Sequence, residues 1–146
     1  MMNANDTKKL VKLDCMREIW LDNDDRQCDS FSVLGEFHKL DGCYCLVYDD
    51  PVINSMVVLK ITEKALSITS IGEPKSHPVH IRQTHALEEW YAVQYFAANN
   101  SLVMRTLTTQ LEIDIDEDGG VIELAYELYS GDSCLGLYCM DLYFDL

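Results

Sequence analysis

Basic side chains are scarce in this sequence. Eleven lysines and arginines stand against 25 aspartates and glutamates, a formal charge of −14. A field of that sign repels phosphate backbones and anionic bilayers, which argues against nucleic-acid and membrane partners. Its plainest role is to maintain solubility. Long apolar runs are missing as well. Nothing approaches the ~20 residues of a membrane-spanning helix, and residues 1–10 lack the apolar stretch of a secretory signal. The expected setting is the cytoplasm. No linker rich in glycine or serine, no repeat and no low-complexity tract divides the 146 residues, which therefore read as one domain.

Catalytic signatures are absent too. There is no G-x-S-x-G, phosphate loop, dinucleotide fingerprint or H-E-x-x-H. Carboxylates are so numerous that a pair of them does not indicate glycosidase chemistry. The sequence assigns no catalytic residue and no cofactor. The six cysteines, Cys15, Cys28, Cys43, Cys45, Cys134 and Cys139, include no C-x-x-C. In a reducing compartment they read as small apolar residues, free of disulfides and metal.

What the sequence does have is strands and turns. Asp118-Gly119 and Gly131-Asp132 cut residues 102–146 into three runs with alternating apolar residues. A two-residue loop at the first turn sets Ile115 opposite Ile122, Ile113 opposite Leu124 and Leu111 opposite Tyr126. The same loop at the second sets Leu128 against Leu135, Tyr126 against Leu137 and Leu124 against Cys139. Both registers put apolar residues on one face of an antiparallel meander. Upstream, residues 8–21 alternate as a long strand, and residues 22–29 read as a polar loop. Asp41-Gly42 pairs Phe37 with Leu46 and Gly35 with Tyr48, and Gly35 marks a bulge or bend. Around Glu63-Lys64, Ile61 faces Leu66 and Leu59 faces Ile68. Further strands are expected over residues 79–85 and 90–96. About ten strands joined by short turns predict an all-β, antiparallel, up-and-down barrel of eight to ten strands, since closure removes the exposed edges.

Candidate sites are few. Asp114, Asp116, Asp118 and Gly119 match half of a calcium loop, but the twelfth position is Ala125 and both flanks are strands, so an acidic hairpin tip explains them. His77, His80 and His85 fit no zinc spacing with Cys43 and Cys45, and read as solvated. Arg105 is the more informative residue. It shares the odd positions of its strand with Val103, Leu107, Leu111, Ile113 and Ile115, which the hairpin registers assign to the core. An inward or rim guanidinium there would be an anchor for an anionic or strongly polar head, beside Tyr48 and Tyr126 on the inner faces. Pairing with a carboxylate of another strand is the plainer role for Arg105. The last strand carries a second apolar face, Tyr138, Met140, Leu142 and Phe144. That face calls for a cover, either another part of the chain or a second copy, or for a face-switching bulge near Cys139.

The order of these pieces resembles an uncharacterised bacterial family of calycin-like (lipocalin-like) β-barrels, the YwiB-like domain of unknown function. The similar features are the strand ending in Gly35 with its hairpin, Tyr48 before acidic residues, and the run 66–72. The run Leu102-Val103-Met104-Arg105-Thr106-Leu107-Thr108, the acidic turn and the strand around Tyr126 complete them, covering about residues 30–144. Two positions depart from the family pattern: Ser70 stands where a basic residue is usual, and Asn100 where a glycine is. The resemblance implies the barrel fold and a bacterial cytoplasmic setting, and no reaction. The expected function is non-enzymatic binding of a small amphiphilic or anionic molecule inside the barrel. The alternative is a structural or interaction barrel with a filled core, monomeric or homodimeric.

Overall fold

The computed structural model describes residues 7–21, 25–72, 80–95 and 104–146. Eleven strands run through them: β1 (Thr7–Leu21), β2 (Arg26–Leu40), β3 (Cys43–Asp50), β4 (Ser55–Ile61), β5 (Leu66–Gly72), β6 (His80–His85), β7 (Trp90–Ala92), β8 (Gln94–Tyr95), β9 (Met104–Ile115), β10 (Gly119–Ser130) and β11 (Ser133–Asp145). Among the described residues there is no helix, and so none that could cross a membrane.

Every strand pairing is antiparallel. The order β9-β10-β11-β1-β2-β3-β4-β5-β6 follows the chain except at β11-β1, where the two ends of the chain meet. The two edges of this row are stitched by one short segment. Its first half, β7, pairs with β9, and its second half, β8, pairs with β6. The result is a nearly closed up-and-down barrel, the architecture that buries strand edges.

Local signals explain most of the pairings. Gly42 takes a φ of +82° in the Asp41-Gly42 turn, a region that L side chains avoid, and Phe37 pairs with Leu46 as expected. Ile61 pairs with Leu66 and Leu59 with Ile68, also as expected. At Gly35 a Cβ would lie 3.0 Å from the Val47 carbonyl oxygen, so the strands approach closely there. Residues 26–29 belong to β2, not to a loop, because β1 stays paired with it as far as Trp20 opposite Arg26.

The turn at Asp118-Gly119 is wider than two residues. Ile115 pairs with Gly120, and the Asp116 carboxylate accepts hydrogen bonds from the Asp118 and Gly119 amides at 2.8 and 3.2 Å. That register is shifted by two, which leaves the inner face unchanged. Two bulges matter more. Ala125 pairs with Gln110 but Tyr126 pairs with Thr108, so Thr109 is an extra residue in β9. Leu128 pairs with Gly136 but Tyr129 with Cys134, so Leu135 is extra in β11. Each bulge reverses which face the residues beyond it present.

The second bulge corrects the expected register of the last hairpin. Leu124 pairs with Met140 and Tyr126 with Tyr138. Met140, Leu142 and Phe144 are the core residues of β11, while Leu135 and Leu137 are exposed. The face-switching bulge lies at Leu135, well before Cys139, and Leu142 and Phe144 need no second copy to cover them.

One end of the barrel is filled. Leu13, Leu46, Leu59, Ile61, Leu66, Ile122 and Leu142 are almost fully buried there. The Phe37 ring packs on Tyr44 and Phe144 at centroid separations of 5.4 and 5.2 Å. The other end is where the site lies.

Candidate functional site

The inner face of β1 is set by its odd positions. Val11, Leu13 and Cys15 are buried, and the next two inner positions are Arg17 and Ile19. Strand alternation therefore aims a guanidinium into the barrel just where the packed core ends. The last residue of β3 supplies its main partner. Asp50 is 1% exposed, and its carboxylate accepts from Arg17 Nη1 at 2.6 Å and from Nη2 at 3.4 Å. The Val52 and Ile53 amides also donate to Asp50, at 2.9 and 3.3 Å, so the turn that ends β3 is tied to the same group. From β2, Asp29 accepts Arg17 Nε at 2.8 Å. Burial opposes the charge of Arg17, but the hydrogen bonds to both carboxylates outweigh it and raise its pKa above the ordinary value. The guanidinium also lies over the Phe31 ring, 5.2 Å from its centroid.

This pair forms the polar end of a pocket of about 250 Å³. Ile53 and Val57 of the β3–β4 region, Ile68 and Ser70 of β5, and Ile81 and Gln83 of β6 line one side. Leu124 and Tyr126 of β10 and Tyr138 and Met140 of β11 line the other, and Tyr48 of β3 completes the wall beside Asp50. The pocket is mainly apolar, and among the described residues its charged lining consists of Arg17, Asp29 and Asp50.

Tyr48 is 5% exposed, and its hydroxyl makes no hydrogen bond to any described residue. Among the described residues no fully occluded side-chain polar atom lacks a partner. The hydroxyl is thus open to the pocket it lines. Burial, and secondarily the neighbouring Cys15 and Asp50, push its pKa well above the ordinary tyrosine value. Tyr126 is stacked on Tyr138, with centroids 5.2 Å apart and rings 5° from parallel. Burial raises its pKa too, against a hydrogen bond from Gln83.

Behind Tyr126 lies a polar relay. Gln83 Oε1 is 3.1 Å from His85 Nε2, and His85 Nδ1 is 2.9 Å from the Thr108 hydroxyl. His85 is fully buried, against the expectation of a solvated histidine, and desolvation lowers its pKa to about 4. It is neutral at pH 7, with Nε2 protonated to donate to Gln83 and Nδ1 accepting from Thr108. His77 lies outside the described residues. Among the described residues no group of three or more metal-ligating side chains comes together.

Tyr48 and Tyr126 thus share one pocket, and Arg105 is not in it. Thr106 and Thr108 are buried, and Arg105 and Leu107 point the other way. The guanidinium donates to the Gly131 carbonyl at 3.1 Å and lies 4.7 Å from the centroid of the Trp90 ring. The cause is the bulge at Thr109. Extrapolating the odd-position face back from Ile115 is valid only as far as Leu111. The inward cation is Arg17, and the sequence did carry its signal, as the next odd position after Val11, Leu13 and Cys15.

The profile of a family described as a domain of unknown function, DUF1934, matches residues 17–142. Among solved structures, the chain is similar to the crystal structure of ywiB protein from Bacillus subtilis, with a TM-score of 0.77 and 18% identity over 94% of this chain and 92% of that one. At that identity the likeness speaks for the fold alone. No curated protein matches this chain.

Proposed function

The chain belongs to the DUF1934 family, and we propose that it is a binding protein that holds a small amphiphilic molecule in the open end of the barrel. The observation that supports this is the pocket of about 250 Å³, largely apolar and ending on the Arg17–Asp50 pair. Small-molecule sites combine mostly apolar walls with a few placed polar groups, and commonly start near ~300 Å³. The volume here favours a compact molecule over a long-chain lipid. A side-chain-filled interior, as the alternative of a purely structural barrel requires, accounts for one end of the barrel only. Among the described residues, those at the open end carry no nucleophile poised beside a base, which favours binding over catalysis.

The test is a panel of neutral small amphiphiles followed by methyl NMR. Binding should perturb the methyls of Ile68, Ile81 and Leu124 selectively, and Ser70→Trp, which fills the pocket, should abolish the response. Perturbations scattered over the surface, or unchanged in Ser70→Trp, would overturn the reading.

A further inference from the structure

Among the described residues, the charges at the polar end of the pocket do not balance. Arg17 contributes one positive charge, and Asp29 and Asp50 contribute two negative ones. Asp50 is saturated, since both of its oxygens accept hydrogen bonds. Asp29 is not. Its Oδ1 accepts from Arg17 Nε, and its Oδ2 bonds to no described residue. The side chain of Asp29 remains 33% exposed, within reach of the pocket it lines.

We infer that the molecule held in this pocket carries a cationic head, such as an ammonium or amidinium group, and an apolar body. This rests on the binding function proposed above and specifies its ligand class. Three independent features point the same way. The Asp29 oxygen that bonds to no described residue offers the charged acceptor, and among the described residues the site keeps one negative charge in excess. At contact distance that excess attracts a cationic head and repels an anionic one. The hydroxyl of Tyr48, almost fully buried and without a hydrogen-bond partner among the described residues, offers a neutral acceptor beside that ion cluster. The rings of Tyr48, Tyr126 and Tyr138 line the same space, and aromatic faces attract cations.

An anionic head has less to meet. Three of the five N–H groups of Arg17 are already engaged by Asp29 and Asp50, and an anion bound to the other two would sit against both carboxylates. The net charge of −14 acts in the same sense at long range, drawing cations toward the protein.

The experiment compares three probes with one body: hexylammonium, 1-hexanol and hexanoate, titrated calorimetrically into the full chain at pH 7 and low salt. Hexylammonium should bind at least tenfold more tightly than hexanoate, with 1-hexanol between them. Asp29→Asn should cut the hexylammonium-to-hexanol affinity ratio at least fivefold. Hexanoate binding as tightly as hexylammonium would overturn the cationic class and leave the pocket a binding site. An unchanged ratio in Asp29→Asn would mean that the ammonium sits elsewhere on the acidic surface, and would overturn the inference equally. Failure of all three probes to bind would remove both the inference and the binding function on which it rests.

Discussion

Arg17 Nη1 lies 2.6 Å from Asp50 Oδ2, and the two residues come from strands 33 positions apart in the chain. The pair is buried at one partner and half-buried at the other, and it links β1 to the turn that closes β3. Such a pair is sensitive to the loss of one member. Arg17→Met leaves a buried carboxylate without its counter-charge and should destabilise the fold by about 3–5 kcal/mol. The double variant Arg17→Met/Asp50→Leu should recover much of that loss, because no uncompensated charge remains. Urea denaturation of the two variants checks both halves, and a double variant no more stable than the single one would contradict the argument.

Arg105 should behave differently. It is exposed, with one carbonyl contact and one ring contact. Arg105→Ala should cost no more than about 1 kcal/mol in denaturant and leave pocket occupancy unaltered. A loss of several kcal/mol would mean that this guanidinium does more than the observed contacts allow.

His85 makes stability depend on pH with a definite sign. Its folded pKa of about 4 lies below the ordinary 6.5, so the unfolded chain binds the proton more readily. Stability is fully present above pH 6.5 and is lost as the pH falls toward 4. Between pH 7 and pH 5 this group should remove about 2 kcal/mol. His85→Gln should flatten the dependence over that interval, which denaturation midpoints at the two pH values would show. An equal slope in the variant would assign the pH dependence to other groups.

The thiols should separate by reactivity. Cys15 is 1% exposed, and burial pushes its pKa up to about 12. Cys28 and Cys134 are exposed. Alkylation of the native protein followed by mass spectrometry should modify Cys28 and Cys134 first and Cys15 only on unfolding. Under denaturing, non-reducing conditions all six should titrate as free thiols.

Much of this protein was legible in its sequence, for a physical reason that can be named. Strand side chains alternate with period two, and turns of the Asp41-Gly42 kind fix register locally. Residues near one another in the chain therefore determined the hairpins, the pairing of Phe37 with Leu46 and of Leu59 with Ile68, and the all-β class. The same alternation placed Tyr48 and Tyr126 on inner faces, whereas Arg17, on the same side of its strand as Val11, Leu13 and Cys15, was identified as inward only by the structure. What the tertiary structure alone decided is where alternation breaks. A bulge is an extra residue against a partner strand, and nothing in the local pattern at Thr109 or Leu135 distinguishes it from continuous pairing. Those two residues turned Arg105 outward and brought Met140, Leu142 and Phe144 inward. Likewise, the carboxylates that meet Arg17 come from β2 and the end of β3. They reach it because the chain closes into a barrel, and closure is a long-range outcome that no local spacing encodes.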